Sequence, residues 1–184
     1  MDNKLQSADT PPASNVSALV RAALFVSDIE ASTTFYRDIL GLTVSYWDGP
    51  LDHPAVPALI GVGATDSTRA RILQVPGPSF GMIGLFEVTP RPARVRKRAE
   101  GVNVGEAVLV FYCADLDPLV ARLTAAGHRI LCPPTFLQVS PTRGQREMTC
   151  ADPDGILVNV IERDDRLSAS RDDRLPVSRD NRLA

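Results

Sequence analysis

Residues 26–42 read VSDIEASTTFYRDILGL, and this stretch decides how the chain folds. Asp28 suits the N-cap of a helix, because its carboxylate can accept hydrogen bonds from the free N–H groups of the first turn. Aromatic and aliphatic side chains then recur at a spacing that places them on one helix face. Gly41 supplies the left-handed backbone conformation that commonly ends a helix. The stretch therefore predicts an amphipathic helix over residues 29–40.

A second stretch, ADLDPLVARLTAAG at residues 114–127, repeats this arrangement. Asp115 lies 87 positions after Asp28, and Gly127 lies 86 positions after Gly41. Each predicted helix is preceded by one strand and followed by three. The predicted strands cover residues 18–26, 42–47, 70–75 and 82–89 in the first half and 106–113, 128–132, 145–151 and 156–162 in the second. The internal repeat predicts an α+β fold of two βαβββ modules.

The repeat divides the chain into a patterned core and two polar tails. The modules cover residues 18–89 and 106–163, a basic linker covers 90–105, and the tails cover 1–17 and 164–184. The C-terminal tail repeats an Asp-Arg-Leu pattern every eight residues. A repeat this short and polar cannot bury a core. We expect solvated tails, with the docking of a partner as the alternative role of the C-terminal repeat.

The composition excludes several functional classes. The chain has 184 residues and a net charge of −2, from 20 Lys+Arg and 22 Asp+Glu, which does not favour nonspecific nucleic-acid binding. No apolar run reaches the ~20 residues that span a bilayer, and the polar N-terminus lacks a secretory-signal pattern. Three cysteines and two histidines provide neither a disulfide framework nor a His-rich metal site. We expect a cytoplasmic protein that binds neither nucleic acid nor membranes.

Three motifs together resemble the vicinal oxygen chelate (VOC) superfamily, which includes glyoxalase I, bleomycin-resistance proteins, extradiol dioxygenases and fosfomycin-resistance enzymes. They are the stretch 26–42, the ADLD and AAG segments within 114–127, and DPDG at 152–155 followed by ILVNVIE at 156–162. The resemblance implies that each module curls its sheet into half a barrel. The joined sheets would then form a cup that holds a ligand.

Metal-dependent members of this superfamily use four inward-facing His or Glu ligands on the first and last strands of both modules. In this chain the resemblance assigns three of those positions to Arg21, Val108 and Asn159, and the fourth to Gly84 or Glu87. A guanidinium stays cationic, valine has no donor atom, and an amide oxygen is a weak ligand. We therefore predict a member without a catalytic metal and without another cofactor.

The resemblance also indicates which side chains line the cup. They are Arg21, Phe25, Val108, Tyr112 and Asn159. Such a lining suits a small, partly apolar molecule that carries an acidic group, which Arg21 would bind in bidentate fashion. We expect Arg21 to lie among Phe25, Val108 and Tyr112 with little water, and a buried guanidinium must be paired. Its partner is either the ligand's acidic group or the carboxylate of Glu87.

Three functions stay open from the sequence. A binding protein would sequester its ligand in the metal-free cup, as in the bleomycin-resistance branch. A metal-independent lyase or isomerase would use Glu87 or Glu147 as its general base and Arg21 to stabilise an enolate-like anion. An interaction protein would use the repeated tail. The cup closes either within one chain or between two copies, so a homodimer is among the expected assemblies.

The tails provide a first prediction. Removal of residues 1–15 and 166–184 is expected to leave the melting temperature nearly unchanged, because neither segment can bury enough apolar area to offset its ordering entropy. Calorimetry of the full and truncated chains measures the difference. A fall of more than ~5 °C would show that a tail packs on the core.

Overall fold

The computed structural model describes residues 16–94, 102–141 and 143–162. The predicted C-terminal tail, most of the N-terminal tail and the linker segment 95–101 lie outside these residues. Among the described helices, none is long and apolar enough to cross a lipid bilayer.

The described residues form two modules of four strands each. The first contains β1 (Arg21–Phe25), α1 (Ile29–Thr33), a π-helical segment (Thr34–Ile39), β2 (Val44–Pro50), α2 (Val56–Ile60), β3 (Ser67–Gln74) and β4 (Met82–Thr89). The second contains β5 (Val108–Cys113), α3 (Asp117–Ala125), β6 (Ile130–Ser140), β7 (Arg143–Ala151) and β8 (Leu157–Glu162). Helix α2 was not expected from the sequence pattern.

The two sheets have the same topology. Their strand orders are β1-β4-β3-β2 and β5-β8-β7-β6, and in each the first strand pairs with the last in parallel. The remaining neighbours are antiparallel. The prediction of an α+β fold with two βαβββ modules is therefore confirmed. Both sheets stay open, because neither closes on itself or onto the other.

Strand β6 is longer than the sequence pattern indicated. The predicted strand ended at Cys132, before Pro133 and Pro134, yet the observed strand continues to Ser140. Proline lacks an N–H donor and is tolerated in a strand that has a neighbour on only one side. Strand β6 pairs only with β7, and the pairing register shifts between Cys132 and Thr135, where the prolines lie.

A carboxylate on the last strand of each sheet holds the start of each helix. The Glu87 carboxylate accepts a hydrogen bond from the Ile29 N–H at 2.8 Å, and the Glu162 carboxylate accepts one from the Leu116 N–H at 2.9 Å. Helix starts carry free N–H donors and a partial positive charge, which a carboxylate stabilises. The same contact in both modules supports the internal repeat at the level of single side chains.

The predicted N-cap of the first helix is confirmed. The Asp28 carboxylate accepts hydrogen bonds from the backbone N–H groups of Glu30 and Ala31. The helix then changes to π-helical geometry, in which the Leu40 N–H donates to the Phe35 carbonyl five residues earlier. One added residue in a helix produces such a segment. The added residue explains why the helix starts, Asp28 and Asp115, are 87 positions apart while the glycines that end the helices, Gly41 and Gly127, are 86 apart.

An arginine ties the helix of the first module to its sheet. Arg71 on β3 is only 9% exposed, and its guanidinium contacts Glu30, Asp48 and the Thr33 hydroxyl. These contacts hold the pKa of both carboxyl groups below their usual values. Arg146 on β7 has the equivalent role in the second module, where it pairs with acidic side chains of α3 and β8.

The helix-covered faces of the two sheets share one apolar core. Its members come from both modules and include Phe35, Tyr36, Leu85, Leu116, Leu123, Met148 and Val158. The ring of Phe35 packs edge-on against His128 with centroids 4.9 Å apart. The modules therefore join through their helices.

A buried aspartate locks this junction. The Tyr36 hydroxyl donates to the Asp152 carboxylate at 3.0 Å, and both side chains are buried. The other oxygen of Asp152 accepts from the backbone N–H groups of Asp154 and Ile156, which folds the DPDG turn. Asp154 in turn accepts from the Ser27 N–H of the first module at 2.8 Å. Burial raises the pKa of Asp152 above its usual value despite these donors.

This junction generates a prediction about stability. Tyr36→Phe is expected to lower the free energy of unfolding by ~1.5–3 kcal/mol, because it removes a hydrogen bond to a charged group and leaves Asp152 with one donor fewer. Tyr46→Phe is the matched control, since Tyr46 is more than half exposed. Urea unfolding of the three proteins measures the difference. Equal losses in both variants would contradict the role of the buried pair.

The same pair predicts a pH dependence. The pKa of Asp152 is higher in the folded protein than in the unfolded chain. The protonated form of Asp152 therefore favours the folded state at low pH, and this contribution is lost as the pH rises through the folded-state pKa. The Tyr36 hydroxyl favours the ionised carboxylate, so the cost of Tyr36→Phe is expected to be larger at neutral than at acidic pH. Urea unfolding across that range tests the sign.

Candidate functional site

Each sheet has an open face, the face that the helices do not cover. In the first module it consists of Arg21, Phe25, Trp47, Ile72, Gly84 and Phe86, which the strand register places on one side. The rings of Phe25 and Phe86 lie 5.9 Å apart between centroids. We call this surface the first open face.

Arg21 extends across the first open face. A Cβ added to Gly84 would lie 3.6 Å from the Arg21 Cδ, an ordinary contact, and 2.9 Å from the Phe86 ring, so the absence of a side chain at Gly84 leaves room for that ring. Arg21 is exposed, and within the described part of the chain it forms no hydrogen bond or ion pair. The resemblance implied that Arg21 shares a face with Phe25, and the register of β1 with β4 agrees.

Glu87 does not belong to this face. It points to the helix side, where its carboxylate accepts a hydrogen bond from the Ile29 N–H. The sequence left the fourth ligand position to Gly84 or Glu87, and of these two it is Gly84 that lies on the open face. Of the two partners left open for Arg21, Glu87 is therefore wrong. The physical reason is the two-residue period of a strand, which sends Glu87 to the side opposite Arg21. Glu87 is also unavailable as a base in the cup.

The second open face carries Val108, Val110, Tyr112, Glu147 and Asn159. The Asn159 side-chain amide donates toward the Glu147 carboxylate at 3.3 Å and also approaches the Met148 carbonyl and the Thr149 hydroxyl. The Gln145 amide donates to the other oxygen of Glu147. Amide groups therefore orient the Glu147 carboxylate, and no ion pair to it is present among the described residues.

A single chain does not enclose the predicted cup. Phe25 is 48% exposed, Val110 59% and Tyr112 60%. The expectation that Arg21 lies among Phe25, Val108 and Tyr112 with little water is wrong for one chain, because Arg21 and Phe25 lie on one sheet and the other two on the second. The helix sides meet in the shared core, so the two open faces of one chain do not face each other.

Two polar residues of the first open face were not expected from the sequence. Thr68 and Gln74 lie on the same side of β3 as Ile72 and are 6% and 8% exposed. The Thr68 hydroxyl and the Gln74 side-chain oxygen are buried and have no hydrogen-bond partner in the described structure. The signal was present in β3, where these residues alternate with the helix-side arginines. Unpaired buried polar atoms are rare and costly.

The residues at the four positions that the sequence resemblance assigns to metal ligands are poorly suited to hold a divalent ion. They carry Arg21, Gly84, Val108 and Asn159, which together offer one neutral amide oxygen beside a permanent cation. A divalent ion requires several anionic or imidazole donors. The described residues also contain no cluster of three or more His, Cys, Asp or Glu side chains that could hold an ion.

The family follows from the sequence together with this fold. A model of the Glyoxalase/Bleomycin resistance protein/Dioxygenase superfamily matches residues 18–160. The chain belongs to this superfamily. No curated protein matches the sequence. The resemblance carried by residues 26–42, by the repeated helix and by the DPDG turn is thus confirmed for the VOC fold.

Solved structures of the superfamily share the fold at low sequence identity. A glyoxalase family protein from Bacillus cereus is 17% identical with a TM-score of 0.70, over 83% of this chain and 98% of that one. The trypanothione-dependent glyoxalase I of Leishmania major is 16% identical with a TM-score of 0.54, over 84% and 92%. A glyoxylase/bleomycin resistance protein/dioxygenase domain from Frankia sp. is 21% identical with a TM-score of 0.53, over 80% and 98%.

The donor set of this VOC domain generates a prediction. Purified protein is expected to contain well under one divalent metal ion per chain after dialysis, because Arg21 and Val108 stand at two of the four ligand positions. Elemental analysis by mass spectrometry measures the content. Stoichiometric zinc, iron, nickel or manganese that survives dialysis would contradict it.

Proposed function

We propose that this VOC domain binds, and thereby sequesters, a small, partly apolar organic acid in a cup that uses no metal. The observation that carries the proposal is Arg21, an arginine without a partner in the described structure on an otherwise apolar open face. A guanidinium presents five N–H donors in a planar fork that matches a carboxylate. The two rings beside it, Phe25 and Phe86, supply apolar contact for the body of the ligand.

We also propose that the protein acts in the cytoplasm as a homodimer. The support for the dimer is the exposure of Phe25, Val108, Val110 and Tyr112 on the two open faces. Exposed apolar patches commonly mark an interaction site. A cup closed by a second copy would remove them from water and enclose the ligand.

A second candidate function is a metal-independent lyase or isomerase. One observation favours it: the Glu147 carboxylate faces the second open face and is held by the amides of Gln145 and Asn159. A positioned carboxylate can remove a proton from a carbon acid, and in a cup closed by a second copy Arg21 would stabilise the enolate-like anion that results. Loss of turnover in Glu147→Gln with ligand binding intact would favour this candidate over sequestration.

The binding proposal is tested with benzoate as an acidic probe. Trp47, the one tryptophan in the chain, lies on the first open face and reports binding by fluorescence. Arg21→Met is expected to weaken benzoate binding by ~1.5–3 kcal/mol, about 10- to 150-fold in Kd, because it removes a charged hydrogen bond and keeps most of the side-chain length.

Arg37→Met is the matched control for this experiment. Arg37 is an exposed arginine on the helix, where it pairs with Asp38 away from the open face. It is expected to bind benzoate as the unmodified protein does, and benzylamine should not compete with benzoate. Equal benzoate affinity in Arg21→Met and in the unmodified protein would refute the role of Arg21.

A further inference from the structure

The connection between β2 and β3 is a part of the first module that has no counterpart in the second. Residues 51–66 separate β2 from β3 and include helix α2, whereas only residues 141 and 142 separate β6 from β7. Because the second module forms the same sheet without such a segment, the fold does not require it. Connections of this kind often carry binding residues, since the sheet beneath them fixes their position.

A pocket of about 680 Å³ lies between this connection and the start of β3. Its volume is within the ~300–1,000 Å³ that small-molecule sites commonly have. None of the residues that define the first open face lines it, although Thr68 lies on the same side of β3 as that face. The pocket is therefore a second concave surface, distinct from the one that carries Arg21. We call it the loop pocket.

The walls of the loop pocket are held in place by their own backbone. The Leu51 N–H donates to the Thr68 carbonyl at 2.9 Å, which ties the start of the connection to β3. Gly61 ends α2 in the left-handed conformation, and its N–H donates to the Pro57 carbonyl at 2.9 Å. A ligand therefore meets a preformed pocket and loses little affinity to the ordering of the protein.

The charged side chains of the loop pocket are acidic. Asp52 and Asp66 belong to its lining, and no lysine or arginine is among the described lining residues. The Asp66 carboxylate accepts from the Gly63 N–H at 2.8 Å, which fixes its position, and Asp52 forms no hydrogen bond or ion pair within the described part of the chain. His53 accepts the Ala55 N–H through Nδ1, as only a neutral imidazole can. The charge of the pocket therefore favours a cation.

The floor of the loop pocket is the Thr68 side chain. Thr68 is the one buried residue of the described lining, at 6% exposure, and its hydroxyl has no hydrogen-bond partner among the described residues. Buried hydroxyl groups are rarely left without a partner. A hydroxyl oxygen accepts hydrogen bonds, and an ammonium group donates three. The unpaired hydroxyl therefore points to a donor ligand independently of the two carboxylates.

We propose that the loop pocket binds a small organic cation, a primary ammonium group on an apolar body. The ammonium group pairs with Asp52 and Asp66 and donates to the Thr68 hydroxyl. Pro57 and Val62 supply apolar contact for the body of the ligand. This site goes beyond the proposed function, because it takes a ligand of opposite charge on residues that the acid site does not use.

Benzylamine is the probe that tests the site, and benzyl alcohol is its uncharged counterpart. Titration of the full ¹⁵N-labelled chain is expected to shift the backbone amide signals of residues 51–68 in a saturable manner. The Kd of benzyl alcohol is expected to be about 10-fold higher or more, because it lacks the charge that pairs with the carboxylates. Shifts confined to β1 and β4, or equal Kd values for the two probes, would overturn the proposal.

Two variants examine the groups that hold the ammonium. Asp52→Asn is expected to raise the benzylamine Kd about 10-fold, because it removes a charged hydrogen bond and keeps the side-chain shape. Asp38→Asn is the matched control, since Asp38 is exposed on the helix and pairs with Arg37, and its benzylamine Kd is expected to stay unchanged. An unchanged Kd in Asp52→Asn would overturn the proposed pairing.

Thr68→Val separates a binding role of the hydroxyl from a structural one. Valine keeps the shape and removes an unpaired polar group, so the melting temperature is expected to stay unchanged or to rise. The benzylamine Kd is expected to rise about 3- to 10-fold, because the ammonium group loses one acceptor. A Kd equal to that of the unmodified protein would show that the hydroxyl does not reach the ligand and would overturn its assignment.

A competition experiment distinguishes this inference from the proposed function. Saturating benzoate is expected to leave the benzylamine Kd unchanged, because the two probes occupy different surfaces. A benzylamine Kd that rises with the benzoate concentration would place both probes at one site and overturn the loop pocket. Failure of benzoate to bind, beside saturable benzylamine binding at residues 51–68, would overturn the acid site and support the loop pocket.

Discussion

The hydrogen bond between Tyr36 and the buried Asp152 joins the two modules, and the remaining architecture depends on it. Asp152 folds the DPDG turn through the N–H groups of Asp154 and Ile156 and at the same time receives the tyrosine hydroxyl from the other module. Burial of a carboxylate without hydrogen bonds would cost free energy, so the junction requires the groups that donate to Asp152. Arg122 adds a further link between the modules, because it donates to the Ile39 carbonyl at the helix end.

The consequence of this junction is that the helices meet and the open faces do not. Both helix-covered faces contribute to one core, which explains why the side chains expected inside a cup are about half exposed in one chain. The same arrangement leaves the apolar residues of β1 and β5 exposed, and a ligand or a partner could cover them.

The repeat shows which contacts the fold requires and which positions are free to change. Glu87 and Glu162 perform the same task in the two modules, and so do Arg71 and Arg146, because a helix must be fixed to its sheet in either case. The open-face positions do not take part in fixing a helix to its sheet. Arg21 and Val108 are equivalent in the repeat, yet one is a cation and the other is apolar, so this face is where function can be set.

The sequence by itself determined the repeat, the helix ends, the DPDG turn and the side of β1 on which Arg21 lies. These features follow from interactions within a few residues, such as the N-cap of Asp28 and the alternation of a strand. The tertiary structure alone decided that Glu87 binds Ile29, 58 positions away, and that Thr68 and Gln74 are buried without partners. It also decided that the modules meet through their helices. Strand register and module packing arise from long-range contacts, and a shift of one residue in register reverses the face of every side chain in a strand.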